Sequence, residues 1–206
     1  MRNYKNWIWI VLFGSVWGLA EVFVGESLWG KNLPFASVWL SVFALLILAS
    51  ARGILNEPGS STAVGAFAAL FKLANAAPFY CHLLGIFMIG AVFDLFCTAF
   101  LKRDRKASFR SALTGIMSAY GSNALFALLI TYVIHYRPWV AGGWPKVSHH
   151  IFVSGSWTAL AAAVLVPIGF VLGAKSWQIV ERRPNWAYGS ALAGLAVLWV
   201  LGRLVG

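Results

Sequence analysis

The sequence predicts an all-α polytopic transmembrane bundle of six to seven helices with a cytoplasmic N-terminus, and three observations carry that prediction. Of its 206 residues 60% are hydrophobic and only 11% charged, with a mean hydropathy of +0.77, where globular chains carry about 25% charged residues. The apolar runs approach the roughly 20 residues that cross a bilayer core and are too long for core strands. The lysines and arginines gather in the short connections between those runs, as they do in cytoplasmic loops of membrane proteins. A net charge of +10 would suggest nucleic acid in a soluble chain, but basic membrane loops account for it here, and no nucleic-acid partner is expected. The expected setting is a single multi-pass domain, residues 1–206, in the lipid bilayer of the cell membrane.

Seven spans are expected, at about residues 7–25, 35–51, 62–77, 80–101, 112–134, 150–174 and 186–205. The opening MRNYKNWIWIVLFG has the charge pattern of a signal peptide. Its apolar run continues to Val24 past any small-residue cleavage site, so it reads as a retained helix. The third span is the shortest, and Lys72 interrupts it. The fourth follows a proline-broken connection and carries Asp94. Orientation follows from the loop cations. The run Lys102, Arg103, Arg105, Lys106 and Arg110 is assigned to the cytoplasm, and counting outward puts Arg2 and Lys5, and also Lys175, Arg182 and Arg183, on the same side. The connections at 26–34, 77–82 and 135–150 and the C-terminus then lie outside. Most of the eleven tryptophans fall near the two boundaries as interfacial belts. Trp17 and Trp199 fall in mid-span and require a packing partner or a cavity. Cys81 and Cys97, on one helix, are about 24 Å apart and cannot bridge each other.

Gly14 and Gly18 form a G-x-x-x-G on the first helix, with Gly25 on the same face. Such a stripe lets another backbone approach closely, either inside the bundle or as a docking face for a partner subunit. Ala187, Ser190, Ala191 and Gly194 make a comparable ladder on the last helix.

Three charges lie inside spans: Glu21, Lys72 and Asp94. Each costs at least about 2.5 kcal/mol at the bilayer centre, so each is expected to face a partner or a polar cavity. They read equally as a structural lock, such as Lys72 with Glu21, or as a ligand or ion-coupling site, with Asn75 and Asn123 available to complete either network. Cys81 and His82 stand side by side at the external start of the fourth span, where thiolate or imidazole can ligate a soft or borderline metal. They can also supply one axial ligand to a metal already held in a macrocycle, and an ordinary packed cysteine is the simplest reading. His135, His149 and His150 join them only if their loop folds back. That loop, HYRPWVAGGWPKVSHH, has the aromatics and glycines of a lid over a cavity. Trp29, Phe79 and Tyr80 add aromatics from the two other external connections. The chain contains no G-x-x-x-x-G-K-[ST], H-E-x-x-H or G-x-S-x-G, which argues against a P-loop ATPase, a zinc protease and a serine lipase.

A small apolar bundle with external loops around a pocket resembles the S-components of energy-coupling factor transporters, over about residues 7–175, with the span at 186–205 as an addition. In that family six helices have both termini inside, external loops close over a vitamin or metal ion, and small residues on the first helix dock onto a transmembrane coupling subunit that works with ATPases. Gly14 and Gly18 occupy the place of that docking face. Cys81 occupies a place comparable to the cobalt-ligating cysteine of the solitary cobalamin-transporting members. The resemblance implies a substrate-binding subunit for micronutrient uptake, with a cobalt corrinoid or other tetrapyrrole as the preferred cargo and no catalytic activity of its own. The ligand contacts expected are Glu26, Trp29, Tyr80, Cys81, His82 and Trp144 above, with Glu21, Lys72 and Asp94 as floor or lock. A membrane enzyme or redox subunit holding a metal or haem-type cofactor, and a structural subunit of a membrane complex, are the competing classes.

Overall fold

A computed structural model describes residues 3–30, 35–76, 79–101 and 109–205, and the described residues contain no strand. The elements are α1 (Asn3–Gly30), α2 (Ala36–Leu55), α3 (Ser60–Asn75), α4 (Tyr80–Phe100), α5 (Phe109–Leu128), the short α6 (Arg137–Val140) and α7 (Gly143–Ser148), α8 (Gly155–Arg182) and α9 (Pro184–Val205). A π turn, Leu129–Val133, continues α5, and a second, His149–Ser154, joins α7 to α8. The protein is an all-α multi-pass membrane protein: among the described residues, six helical segments are long and apolar enough to cross a bilayer.

The third predicted span is not one of those six. It forms α3, but its 16 residues reach only about 24 Å, short of a hydrocarbon core about 30 Å thick. α3 still runs from the end where Asp94 caps its start toward the end where Lys72 meets Glu21, as a wall of the bundle. α1 packs on α3, α3 on α4, α4 on α5, α5 on α8, α8 on α2 and α2 back on α1, closing a six-membered ring, while α9 lies outside it against α1. The sixth span is longer than expected, since the helical path runs unbroken from Gly143 to Arg182.

Small residues set the spacing of this ring, because helices in lipid associate by close packing. A Cβ on Gly173 of α8 would lie 2.3 Å from the Ser50 carbonyl of α2, and one on Gly115 of α5 would lie 2.7 Å from the Ala162 carbonyl of α8. The Gly14 and Gly18 stripe is used in the same way: a Cβ at either would stand 2.6 Å from the Cβ of Phe67 or Phe71 on α3. That face is occupied within the bundle. Ala187 and Ala191 of the last helix are buried as well. The core is filled by Trp17, Leu45, Leu48, Phe71, Phe93 and Phe170. Both mid-span tryptophans have the partners they require. Trp17 is fully buried and its indole N–H donates to Glu21 Oε1 at 3.3 Å. Trp199 donates to Ser15 Oγ at 3.1 Å and meets Phe71 edge to face at 5.0 Å.

One end of the bundle is held by a buried polar knot. Arg52 near the end of α2 donates to Asp94 Oδ1 of α4 at 2.9 Å, to Thr98 Oγ1 at 2.9 Å and to the Glu57 carbonyl. Asp94 in turn caps α3. The N–H groups of Gly59 and Thr62 each reach one of its oxygens at 3.0 Å, and Gly59, at φ 86°, gives the chain the left-handed turn that starts this helix. The aspartate thus supplies from another helix the acceptor that an N-cap side chain normally supplies, and it lies at the positive end of the α3 dipole. Asn6 of α1 donates to Glu57 at 3.0 Å, bringing the start of α1 to the same end. This end is the one the loop cations assign to the cytoplasm.

Candidate functional site

At the opposite end the ring encloses a cavity of about 330 Å³. Its floor is ionic. Lys72 of α3 donates to Glu21 Oε2 of α1 at 3.0 Å, with both side chains under a tenth exposed. The pair sits where the sequence expects a lock or a ligand contact, and it is both buried and at the cavity surface. Glu21 Oε1 is taken by the Trp17 indole, so both carboxylate oxygens have protein donors. The lysine ammonium has three protons and, among the described residues, one hydrogen-bond acceptor.

The walls are mixed. Ile86 and Ile89 of α4, Leu40 of α2 and Phe126 of α5 supply apolar surface. Ser37 and Ser41 of α2 and Ser122 and Asn123 of α5 supply hydroxyls and an amide. Asn123 does not bridge helices as expected: its side-chain NH₂ bonds back to the Ala119 carbonyl at 2.8 Å, leaving its other face toward the cavity. Asn75 likewise bonds back to Phe71 and lies outside the cavity wall.

The roof comes from α6, α7 and the second π turn. Trp139 stands edge-on to Phe126 and to His150, each at 5.2 Å between ring centroids. Val147, fully buried, anchors this segment to the bundle. Lys146 lies over the Trp139 ring at 5.0 Å and donates to the Pro138 carbonyl at 2.9 Å. The loop 135–150 therefore folds back over the bundle, and His149 and His150 join Cys81 and His82 around one cavity. Both π turns sit at the rim: the Ile134 N–H reaches back to Leu129 and the Gly155 N–H to His150, each five residues away. Single π turns within α-helices occur frequently at functional sites.

Several expected contacts are placed elsewhere. Asp94 does not belong with Glu21 and Lys72. It lies thirteen residues, or about 20 Å of helix rise, from Cys81 along α4, and its oxygens are fully engaged by Arg52, Gly59, Thr62 and Thr98. Tyr80 is 89% exposed and Trp144 57%, and neither lines the cavity; Trp139 is the roof tryptophan. The side chains of Glu26 and Trp29 lie outside the described residues. Cys81 and Cys97 are both free thiols on α4, and Cys97 is buried beside the polar knot, not at the cavity. Among the described residues no three His, Cys, Asp or Glu side chains converge on a point where a metal ion would be held. Cys81 and His82 therefore stand as two donors without the further ligands of a closed site.

Such a cavity, part apolar, with a few convergent polar groups and an ion pair at its floor, is suited to bind a small organic molecule. Neither protein-family models, nor curated proteins, nor solved structures give a match to this chain.

Proposed function

We propose that this protein is a substrate-binding membrane subunit for micronutrient uptake, which captures a small molecule from the external side and holds it beneath α6 and α7. The observation that carries this reading is the cavity itself, roofed by the 135–150 loop and floored by a buried Glu21–Lys72 pair. A purely structural bundle has no need to carry an ion pair to the surface of such a space, since each charge taken from water bears a desolvation cost. The closed ring of six helices with a seventh outside it agrees with an S-component-like core plus an addition. Release to the cytoplasm then requires the bundle to reorient or open, with coupling subunits as the source of energy.

Ligand pockets span roughly 300 to 1,000 Å³, and this one, about 330 Å³, is at the small end. That favours a compact vitamin-like molecule over a corrinoid, which enters only if the roof lifts away. In the corrinoid case Cys81 is the axial ligand. The test is a thermal-shift and radioligand screen of the detergent-purified protein against water-soluble vitamins and cobalamin, run beside absorbance and cobalt analysis of wild type and Cys81→Ala. Saturable binding of a small vitamin without chromophore supports the compact cargo. Stoichiometric cobalt with a spectrum altered by the substitution supports the corrinoid. A protein that binds none of them refutes the uptake reading.

A further inference from the structure

Among the described residues that line the cavity, the charges do not cancel. Lys72 and Lys146 contribute two ammonium groups, and Glu21 contributes one carboxylate. That carboxylate is already held by Lys72 and Trp17, so it has little left to offer a cationic guest. Lys72 differs in this respect. It is 5% exposed, and one of its three protons meets Glu21 while the other two have no hydrogen-bond acceptor among the described residues. An ammonium carried into low dielectric at a cost of several kcal/mol and left with unused donors facing a void is a binding group for an acceptor. Lys146 stands in the roof, and Cys81 lines the same cavity as both ammoniums. His82, His149 and His150 add ring nitrogens around the same space. Leu40, Ile86, Ile89 and Phe126 supply uncharged apolar surface to the same cavity.

We propose that the cargo is a compact amphipathic anion: one carboxylate-like group bound between Lys72 and Lys146, and an apolar or aromatic body against Ile86, Ile89 and Phe126. This rests on the reading of the cavity as a substrate site and specifies its chemistry. Binding is charge-selective. A carboxylate gains a charge-assisted hydrogen bond to the unused Lys72 donors, a carboxamide of the same shape gains a neutral one, and an ammonium of the same shape is repelled by the net positive wall.

The test is a thermal-shift and calorimetric comparison of matched triplets on the purified full-length protein. Benzoate, benzamide and benzylammonium form one set, with equivalent triplets built on pyridine, indole and short alkyl chains. The carboxylate member is expected to bind about ten- to hundredfold tighter than its carboxamide. Lys146→Met, which alters an exposed roof residue, and the charge-balanced pair Glu21→Gln with Lys72→Met are each expected to remove most of that preference, so that the carboxylate binds no more than a few times tighter than its carboxamide in the same variant. A carboxamide or ammonium that binds best overturns the anion assignment and leaves a substrate site standing. So does a carboxylate preference that survives both variants. If no member of any triplet binds while a vitamin or cobalamin does in the screen above, the compact-anion assignment is overturned and the uptake reading stands; if that screen is empty as well, both fail.

Discussion

Replacing Asp94 by alanine is the most informative perturbation of the fold. The side chain accepts from Arg52, from the backbone of Gly59 and Thr62, and from the hydroxyls of Thr62 and Thr98. Arg52 is wholly buried, so the substitution strands a guanidinium with only neutral acceptors, a change that costs about 3–5 kcal/mol. The two orphaned N–H groups in the first turn of α3 add on the order of 1 kcal/mol each. The expected loss is therefore about 5–7 kcal/mol, a large part of a typical domain's 5–15. Removing both charges, Arg52→Met with Asp94→Leu, takes away the stranded cation and leaves chiefly the two N–H groups, so most of the loss returns. The assay is reversible unfolding in mixed micelles titrated with sodium dodecyl sulfate, followed by tryptophan fluorescence and helical circular dichroism. An Asp94→Ala loss below about 1 kcal/mol, or a double variant no more stable than the single one, refutes the view that this knot locks α2, α3 and α4 as a charge-coupled unit.

Four further outcomes are expected. Gly173→Val drives a side chain into the Ser50 carbonyl at the α2–α8 contact and destabilises by about 1–3 kcal/mol or more. Gly189→Ala, with nothing within 4 Å of the new methyl group, is neutral or gains up to about 1 kcal/mol of helix propensity in the same titration. A membrane-impermeant maleimide added from outside is expected to modify Cys81 in the native protein and to spare Cys97, which is 1% exposed, with mass spectrometry locating the adduct; bound cargo protects Cys81. Trp199→Phe keeps the ring against Phe71 but removes the donor to Ser15, loosening α9 by about 1 kcal/mol, read as earlier proteolysis or unfolding of that helix alone.

The membrane-spanning architecture is legible in the sequence because lipid demands long apolar runs and concentrates charge between them. Even the needs of Trp17 and Trp199 can be stated in advance, since an indole N–H in hydrocarbon requires an acceptor. The Glu21–Lys72 pair is legible for a similar reason: two opposite charges deep in neighbouring spans have few alternatives. The Arg52–Asp94 pair is not. Arg52 lies at the edge of its span and reads as one more loop cation, so Asp94 looks unmatched and is grouped with the wrong partners. The roof is legible as a lid, but its contacts are not. Whether Trp139 or Trp144 turns inward depends on the pitch of α6 and α7, which glycine- and proline-rich sequence leaves open. Ser37 and Ser41 escape notice because a lone serine on an apolar helix gives no periodic signal. The G-x-x-x-G stripe announces a close approach without saying to what, and here it meets α3.

The two π turns at the rim, Leu129–Val133 and His149–Ser154, have a consequence for how this chain tolerates change. A π turn absorbs one residue beyond the α-helical count, so it takes up a shift in phase at the point where it occurs. The packed halves of α5 and α8 below them keep their register on each other through Gly115 and Ala162, while the segment from Ile134 to Ser148 above is released from that register. Insertions, deletions and wholesale replacement of the roof are thus buffered at two defined places. The bundle behaves as a chassis with an exchangeable cover, because rewriting the roof leaves the α5–α8 register beneath it in place.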